Sequence, residues 1–88
     1  MAPYSWTLNR PVGSILNDLP VERRVALFRE LDALGAHPFR EGHLRYLDSD
    51  AREIRIWVVD DLAVHYWLDH AVREVRITQI EPTASFDP

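Results

Sequence analysis

The sequence contains no cysteine and no lysine, and only three glycines are spread over its 88 residues. Without cysteine the chain forms neither disulfides nor thiolate zinc sites, which fits a cytosolic protein. The separated glycines leave no glycine-rich loop for a phosphate. No charged leader is present and no apolar run approaches the ~20 residues that cross a bilayer. We therefore expect a cytoplasmic protein that does not contact the membrane.

All ten basic residues are arginine, against 14 acidic residues, and the formal net charge is −4. That balance argues against broad, non-specific binding of nucleic acid, which requires a positive field over the whole surface. It leaves room for a local arginine patch, where planar guanidinium groups make bidentate and stacking contacts. Codon usage in a genome rich in G and C explains the missing lysine more simply than a function does.

Three short apolar runs in the second half of the chain predict an antiparallel meander. They cover residues 53–59, 62–68 and 72–80, and each is rich in β-branched and aromatic residues. The spacers Asp60-Asp61 and Asp69-His70-Ala71 suit tight turns between them.

Alternation along these strands separates two faces of different character. The face predicted to form the core carries Ile54, Ile56, Val58, Leu62, Val64, Tyr66, Leu68, Val75 and Ile77. The opposite face carries Arg55, Trp57, His65, Trp67, Arg76 and Thr78. A sheet with one solvated face does not need two tryptophans and two arginines there, so the second face is the candidate functional surface.

The first half of the chain predicts one strand and two helices. Residues 4–8 alternate as a strand does, and Pro11 suits the first turn of a short helix. The spacing of Leu27, Leu31 and Leu34 predicts a second helix over residues 21–34, with Gly35 as its C-terminal stop. After it we expect a loop, with a short extended piece at residues 43–47.

This order of elements predicts an α+β fold in which two helices pack on one face of an antiparallel sheet, β-α-α-β-β-β. The first strand is expected to pair with the meander, because a strand of five residues is not stable alone. We expect residues 1–88 to form a single domain, with residues 82–88 a frayed tail.

The chain resembles the RelE/ParE superfamily, the small toxins of bacterial toxin–antitoxin pairs. The resemblance is carried by Leu19-Pro20, Leu31-Asp32-Ala33-Leu34, Pro38, Arg55-Ile56, residues 64–69 and Val75-Arg76-Ile77. Its most characteristic piece is Tyr66, at the centre of the second meander strand and followed by an acidic turn. The resemblance runs from residue 4 to about residue 82, with matching length and element order.

The resemblance implies a toxin that acts on translation, by ribosome-dependent mRNA cleavage, or on DNA gyrase, and that an antitoxin protein neutralises. Nuclease members usually carry an arginine where this chain has Ala63. They usually follow the last strand with a glycine-and-basic stretch and a tyrosine, where this chain has Ile80-Glu81-Pro82-Thr83. Neither functional residue is carried over. The alternative is a non-catalytic interaction module that keeps the fold and has lost toxin activity.

The candidate functional surface offers substitutes for these residues. Cleavage of RNA by its own 2′-hydroxyl requires a base, a donor to the leaving oxygen and a cation for the phosphate. His65 lies between Arg55 and Arg76 in the predicted arrangement, so these three are the candidate catalytic residues. Tryptophans can stack unpaired bases. The predicted binding surface consists of Trp57, Trp67, Arg55, Arg76 and Thr78.

Tryptophan and arginine are also the usual anchors of protein interfaces, and this interpretation carries more weight than catalysis. An antitoxin helix or strand, or a second copy of the chain in a homodimer, can cover the surface. The four histidines show no paired ligand spacing, so we predict no metal site and no cofactor.

Overall fold

The computed structural model describes residues 4–40 and 42–86. The elements are β1 (Ser5–Leu8), α1 (Arg10–Asn17), α2 (Val21–Ala36), β2 (Leu44–Leu47), β3 (Glu53–Val59), β4 (Leu62–Asp69), β5 (Glu74–Pro82) and a 3-10 turn (Thr83–Phe86). The predicted α+β class, with two helices packed on one face of a mostly antiparallel sheet, is confirmed. Residues 87 and 88 of the predicted frayed tail lie outside the described residues.

The five strands form one sheet in the order β1-β5-β4-β3-β2. Strands β2 to β5 are the antiparallel meander, extended at one edge by β2, which occupies most of the extended piece expected at residues 43–47. At the other edge β1 pairs with β5 in parallel, so the sheet is mixed rather than wholly antiparallel. The two helices that follow β1 provide the long connection that parallel pairing requires.

Helix α2 supplies the centre of the core. Leu27, Leu31 and Leu34 are at most 1% exposed, as their spacing predicted. The prediction that Gly35 ends the helix is wrong, because α2 continues to Ala36. Gly35 is buried, and its carbonyl accepts a hydrogen bond of 3.0 Å from the Tyr4 amide, so this position serves close packing instead. No helix within the described residues has the length and apolar character needed to cross a bilayer.

The turn between β3 and β4 fixes which face each residue of β3 occupies. The two-residue connection Asp60-Asp61 places Val59 opposite Leu62, and therefore Trp57 opposite Val64. Residues directly opposed in an antiparallel pair share a face of the sheet. Because Val64 lies in the core with the helices, Trp57 faces the helices as well.

The predicted orientation of the first meander strand is therefore inverted. We call the side of the sheet covered by the helices the helix face, and the opposite side the far face. Ile54 and Ile56 are buried, at 2% and 3% exposure, but they lie on the far face and outside the core cluster. The helix-face residues that form the core with α1 and α2 are Val59, Leu62, Val64, Tyr66, Val75, Ile77 and Ile80.

A β-bulge in β5 produces a second departure from simple alternation. His65 lies opposite Gln79 while Tyr66 lies opposite Ile77, so Thr78 is one extra residue on the β5 side. As a result Ile77 and Ile80 both face the helices, although their spacing in an unbroken strand would put them on opposite faces.

A glycine allows the chain to enter β2. A Cβ atom at Gly42 would lie 2.8 Å from the carbonyl oxygen of Ile56, closer than such contacts occur in proteins. The next residue, His43, donates its amide to that same carbonyl at 2.8 Å. Gly42 therefore permits the close backbone approach that places β2 against β3.

Candidate functional site

The residues predicted to form one functional surface fall in three places. Arg55 and Trp57 lie on the helix face because of the turn register, whereas His65, Trp67 and Arg76 lie on the far face. Thr78 is at the bulge, where its hydroxyl lies 3.4 Å from the His65 carbonyl oxygen. The prediction that all of them share one face is therefore wrong. What remains to be assigned is which of the two faces carries a function.

On the far face His65 is the centre of a hydrogen-bonded chain. Its Nε2 lies 2.8 Å from the Glu81 carboxylate and its Nδ1 lies 2.9 Å from the Tyr46 hydroxyl. Gln79 donates to the other carboxylate oxygen of Glu81 at 2.8 Å. His65 is only 4% exposed. These hydrogen bonds link the edge strand β2 to β4 and β5, which favours a structural role for His65 over contact with a substrate.

The partners of His65 also indicate which atom donates in each of these hydrogen bonds. An ionised Glu81 can only accept, so Nε2 of His65 carries hydrogen, and in the neutral ring Nδ1 accepts from Tyr46. Burial, followed by the negative charges of Glu81 and Asp48, raises the pKa of the Tyr46 hydroxyl above its usual value. Tyr46 therefore stays protonated at neutral pH and serves as the donor.

The remaining polar groups of the far face are also closely paired. Nε of Arg76 donates to Asp69 at 3.0 Å, and its guanidinium lies 5.7 Å from the Trp67 ring centre. Arg52 approaches the same ring at 4.8 Å while it binds Asp48 at 3.0 Å and Asp50 at 2.9 Å. Each guanidinium thus has a carboxylate at ordinary hydrogen-bond distance.

The helix face presents a different arrangement beside β2 and β3. The helices pack mainly on β1 and β5, and the segment after α2 turns back along β3. A recess of about 320 Å³ remains there, which we call the arginine groove. Its lining residues are Phe39, Gly42, His43, Leu44, Arg45 and Arg55.

Of the two arginines that line this groove, Arg45 donates to Glu53 at 3.2 Å, whereas Arg55 is held more loosely. Arg55 donates to the Pro38 carbonyl at 3.4 Å, and its nearest carboxylate oxygen, from Glu53, is 3.9 Å away. Behind it Arg40 lies 3.8 Å above the Trp57 ring centre and 3.7 Å from Glu30. Its Nε is buried and lacks a hydrogen-bond partner within the described part of the chain. The guanidinium of Arg55, which lines the groove, therefore has donor capacity for an anion.

Tyr66 adds a second unsatisfied group to this region. It is fully buried opposite Arg55, and its hydroxyl makes no hydrogen bond of good geometry within residues 4–40 and 42–86. Burial raises the pKa of Tyr66, although the charges of Arg55 and Arg40 and a weak hydrogen-bonding contact with the Arg55 side chain act in the opposite direction. A buried hydroxyl without a good hydrogen bond destabilises the fold, so its presence beside two loosely held arginines marks the groove as a candidate site.

A second groove of about 240 Å³ opens where β3 and β4 separate. Their pairing runs from Val59 opposite Leu62 only as far as Arg55 opposite Tyr66. The residues lining this second groove are Arg52, Glu53, Arg55, Trp67, Leu68 and His70. Arg55 therefore lines both grooves, and among the described lining residues Glu53 is the single carboxylate. Arg55 can bind a phosphate group, and Glu53 provides a proton acceptor near it.

Sequence reasoning identified Arg55 but missed its neighbours. Arg40 and Phe39 stand in a segment expected to be loop, and Arg45 stands in an edge strand of four exposed residues. The sequence signal for Phe39 and Arg40 is an aromatic residue and an arginine in a loop directly after a helix. In the part of the chain that the structure describes, no three His, Asp or Glu side chains are grouped as a metal site would require.

Comparison with protein-family models and with curated protein sequences finds no match. Two solved structures are similar over nearly the whole chain. The first is the archaeal RelE-RelB complex from Pyrococcus horikoshii, with a TM-score of 0.75 and 16% identity over 91% of this chain and 94% of that one. The second is the toxin–antitoxin complex RelBE2 from Mycobacterium tuberculosis, with a TM-score of 0.76 and 18% identity over 91% and 98%. The chain therefore has the RelE-like toxin fold.

Proposed function

We propose that this chain is the toxin of a toxin–antitoxin pair, acting on translation in the cytoplasm by ribosome-dependent cleavage of mRNA. The observation that carries the proposal is the arginine groove, where the contacts of the Arg55 guanidinium with Pro38 and Glu53, among the described residues, are 3.4 and 3.9 Å long. A phosphodiester offers this guanidinium closer acceptors. We favour RNA over DNA gyrase because a narrow arginine-lined groove suits a flexible anionic strand better than a folded protein surface.

In this proposal the chemistry is divided between two residues of the grooves. Arg55 binds the phosphate that is attacked, and its side chain is 22% exposed, so an incoming group can reach it. Glu53 takes the proton of the attacking 2′-hydroxyl, whose oxygen bonds to phosphorus while the bond from phosphorus to the 5′-oxygen breaks. The products are a 2′,3′-cyclic phosphate and a 5′-hydroxyl, which receives its proton from water. The assignment of His65 and Arg76 to catalysis stays a prediction, and the buried position of His65 argues for Glu53 in its place.

The proposed partner is an antitoxin chain, since both similar structures are complexes of a toxin with an antitoxin. Edge strand β2 offers a surface for it. Leu44, Tyr46 and Leu47 are 56%, 43% and 70% exposed, a concentration of large apolar side chains that a partner would cover. A homodimer, with a second copy of the chain covering the predicted binding surface, stays a prediction.

Induced expression in a bacterium tests the proposed activity. We expect growth arrest, with mRNA cut at ribosome-bound codons as mapped by primer extension. Arg55→Ala should reduce the cleavage rate about 100-fold, as the loss of one transition-state donor does in other enzymes. Arg76→Ala is the matched control, because it removes an arginine that is paired with Asp69 on the far face. It should leave cleavage within about threefold of the parent chain.

The same cultures distinguish the remaining targets and partners. Plasmid supercoiling should stay normal during the arrest, whereas its loss would favour DNA gyrase as the target. Co-expression of a neighbouring gene that encodes a short antitoxin-like chain should restore growth. Arrest that is equally strong with Arg55→Ala and with the parent would contradict the assignment of the groove.

A second candidate function is an interaction module without catalysis. It is favoured by the far face, where His65 is enclosed between Tyr46 and Glu81 and where Ala63 is fully buried. In that case induction would leave growth and mRNA unchanged, while the chain would still form a stable complex with the product of the neighbouring gene.

A further inference from the structure

An exposed aromatic ring stands at the mouth of the arginine groove. Phe39 is 66% exposed, yet its ring is held by two others. It stacks on His70 with 5.7 Å between ring centres and 14° between planes, and it meets Tyr4 edge-on at 5.8 Å. Tyr4 is buried, and its hydroxyl is hydrogen-bonded to Nδ1 of His70 at 2.7 Å. These three rings brace one another, so Phe39 is preorganised despite its exposure.

The position of Phe39 distinguishes it from the two tryptophans nearby. A guanidinium already lies over each tryptophan, Arg40 at 3.8 Å from Trp57 and Arg52 at 4.8 Å from Trp67. Phe39 instead lines a groove together with Arg45 and Arg55. The side chain of Arg45 is 74% exposed. An open aromatic surface is therefore placed next to two guanidinium groups, of which Arg45 also donates to Glu53 at 3.2 Å.

We propose that Phe39 is the stacking platform for one nucleobase of single-stranded RNA, whose phosphate lies on Arg45 and Arg55. This inference rests on the proposed function, because it specifies how the proposed substrate is held. A nucleotide combines a flat π-face with a nearby anionic group, which is the combination that this site offers. The braced ring loses little freedom when a base stacks on it, which favours binding.

Fluorescence anisotropy with the full chain tests the platform. The probes are a labelled hexauridylate and a hexamer of the same length in which abasic sites replace the bases. The parent chain should bind hexauridylate about 10-fold more tightly than the abasic strand, as expected for one stacked base. Phe39→Leu keeps an apolar side chain on Tyr4 but should abolish this preference, and Phe39→Trp should restore it. Arg55→Ala should weaken binding of both strands alike and make it less dependent on salt.

Val21→Ala is the control, since Val21 is equally exposed, at 63%, but lies at the start of α2 away from the groove. It should bind both strands as the parent does. An unchanged base preference in a folded Phe39→Leu protein would overturn the platform, as would absence of RNA binding by the parent. So would an acidic peptide that competes as well as hexauridylate, because the site would then recognise protein. Growth arrest by a parent chain that shows no base preference would refute only the platform. A base preference that is lost in Phe39→Leu, without growth arrest by the parent chain, would refute only the toxin assignment.

Discussion

The two faces of the sheet hold their polar groups in opposite ways. On the far face, His65 and Arg76 have carboxylate partners at 2.8 and 3.0 Å. On the helix face, Arg55 and Arg40 lie 3.9 and 3.7 Å from their nearest carboxylate oxygens, and the buried Tyr66 hydroxyl makes no hydrogen bond of good geometry in the described residues. Both regions are rich in arginine and aromatic residues, so composition alone does not separate them.

This difference in pairing indicates which face has hydrogen-bond donors available for a ligand. A closed network of short hydrogen bonds stabilises the fold, but it has no donors left for a ligand. Loosely held guanidinium groups and an unpaired hydroxyl contribute less to the fold, and an anion can satisfy them. We therefore propose that the far-face network stabilises the fold and that the arginine groove binds the ligand.

The largest expected loss of stability comes from a substitution in the core, which does not distinguish the helix face from the far face. Leu31 is fully buried in the core layer between α2 and the sheet. Leu31→Ala should lower the free energy of unfolding by about 2–5 kcal/mol, through lost burial and the cavity left behind. Urea melts monitored by circular dichroism measure this value. A shift within experimental error would mean that α2 does not pack on the sheet as described.

His65→Ala should separate stability from function. The substitution leaves Tyr46 and Glu81 without their shared partner, and we expect a loss of about 2–3 kcal/mol in the free energy of unfolding. Cleavage or RNA binding per folded molecule should stay the same. A catalytic histidine would give the reverse result, with activity lost in His65→Asn while stability and binding are retained.

Tyr66→Phe should give the smallest change in the free energy of unfolding, and it should stabilise the protein where the other two substitutions destabilise it. Removal of a buried, unpaired hydroxyl should stabilise the protein by about 1 kcal/mol at neutral pH. Burial raises the pKa of Tyr66 in the folded state above its ordinary value of 10.0. The folded state thus holds this proton more tightly than the unfolded state, and the associated stability is lost as the pH rises from about 10 through the folded pKa. The phenylalanine variant carries no hydroxyl to titrate and has no such loss.

Thermal melts of the two proteins between about pH 7 and pH 11 measure this difference, because that range brackets the ordinary pKa of tyrosine. The advantage of Tyr66→Phe should widen above about pH 10. A variant that is instead less stable than the parent at neutral pH would show that the hydroxyl makes a hydrogen bond in solution. The two faces would then differ less in how their polar groups are paired.

Much of the fold followed from the sequence, but the site did not. The leucine spacing of α2 and the strand-forming runs identified the elements, and the turn at Asp60-Asp61 was recognised correctly. That turn already implied that Trp57 lies opposite Val64. Assigning faces by apolar character alone placed Ile54 in the core, where a count from the turn would have placed Trp57.

The β-bulge and the arginine groove have no signal in the sequence around them. The bulge at Thr78 depends on how β4 and β5 pair along their whole length, and no residue type near it requires one. The arginine groove combines Phe39, from the segment after α2, with Arg45 of β2 and Arg55 of β3. Such residues come together only when the chain is folded, so spacing in the sequence could not reveal them.

Mapping of RNA binding by NMR tests the central claim, that the helix-face groove binds and the far face does not. The ¹⁵N-labelled chain is titrated with hexauridylate, and amide shifts are compared between the two faces. We predict that the largest shifts fall on Phe39, Arg45 and Arg55, and that those of His65 and Arg76 are small. Shifts that are largest at His65 and Arg76 and small along the groove would contradict the account.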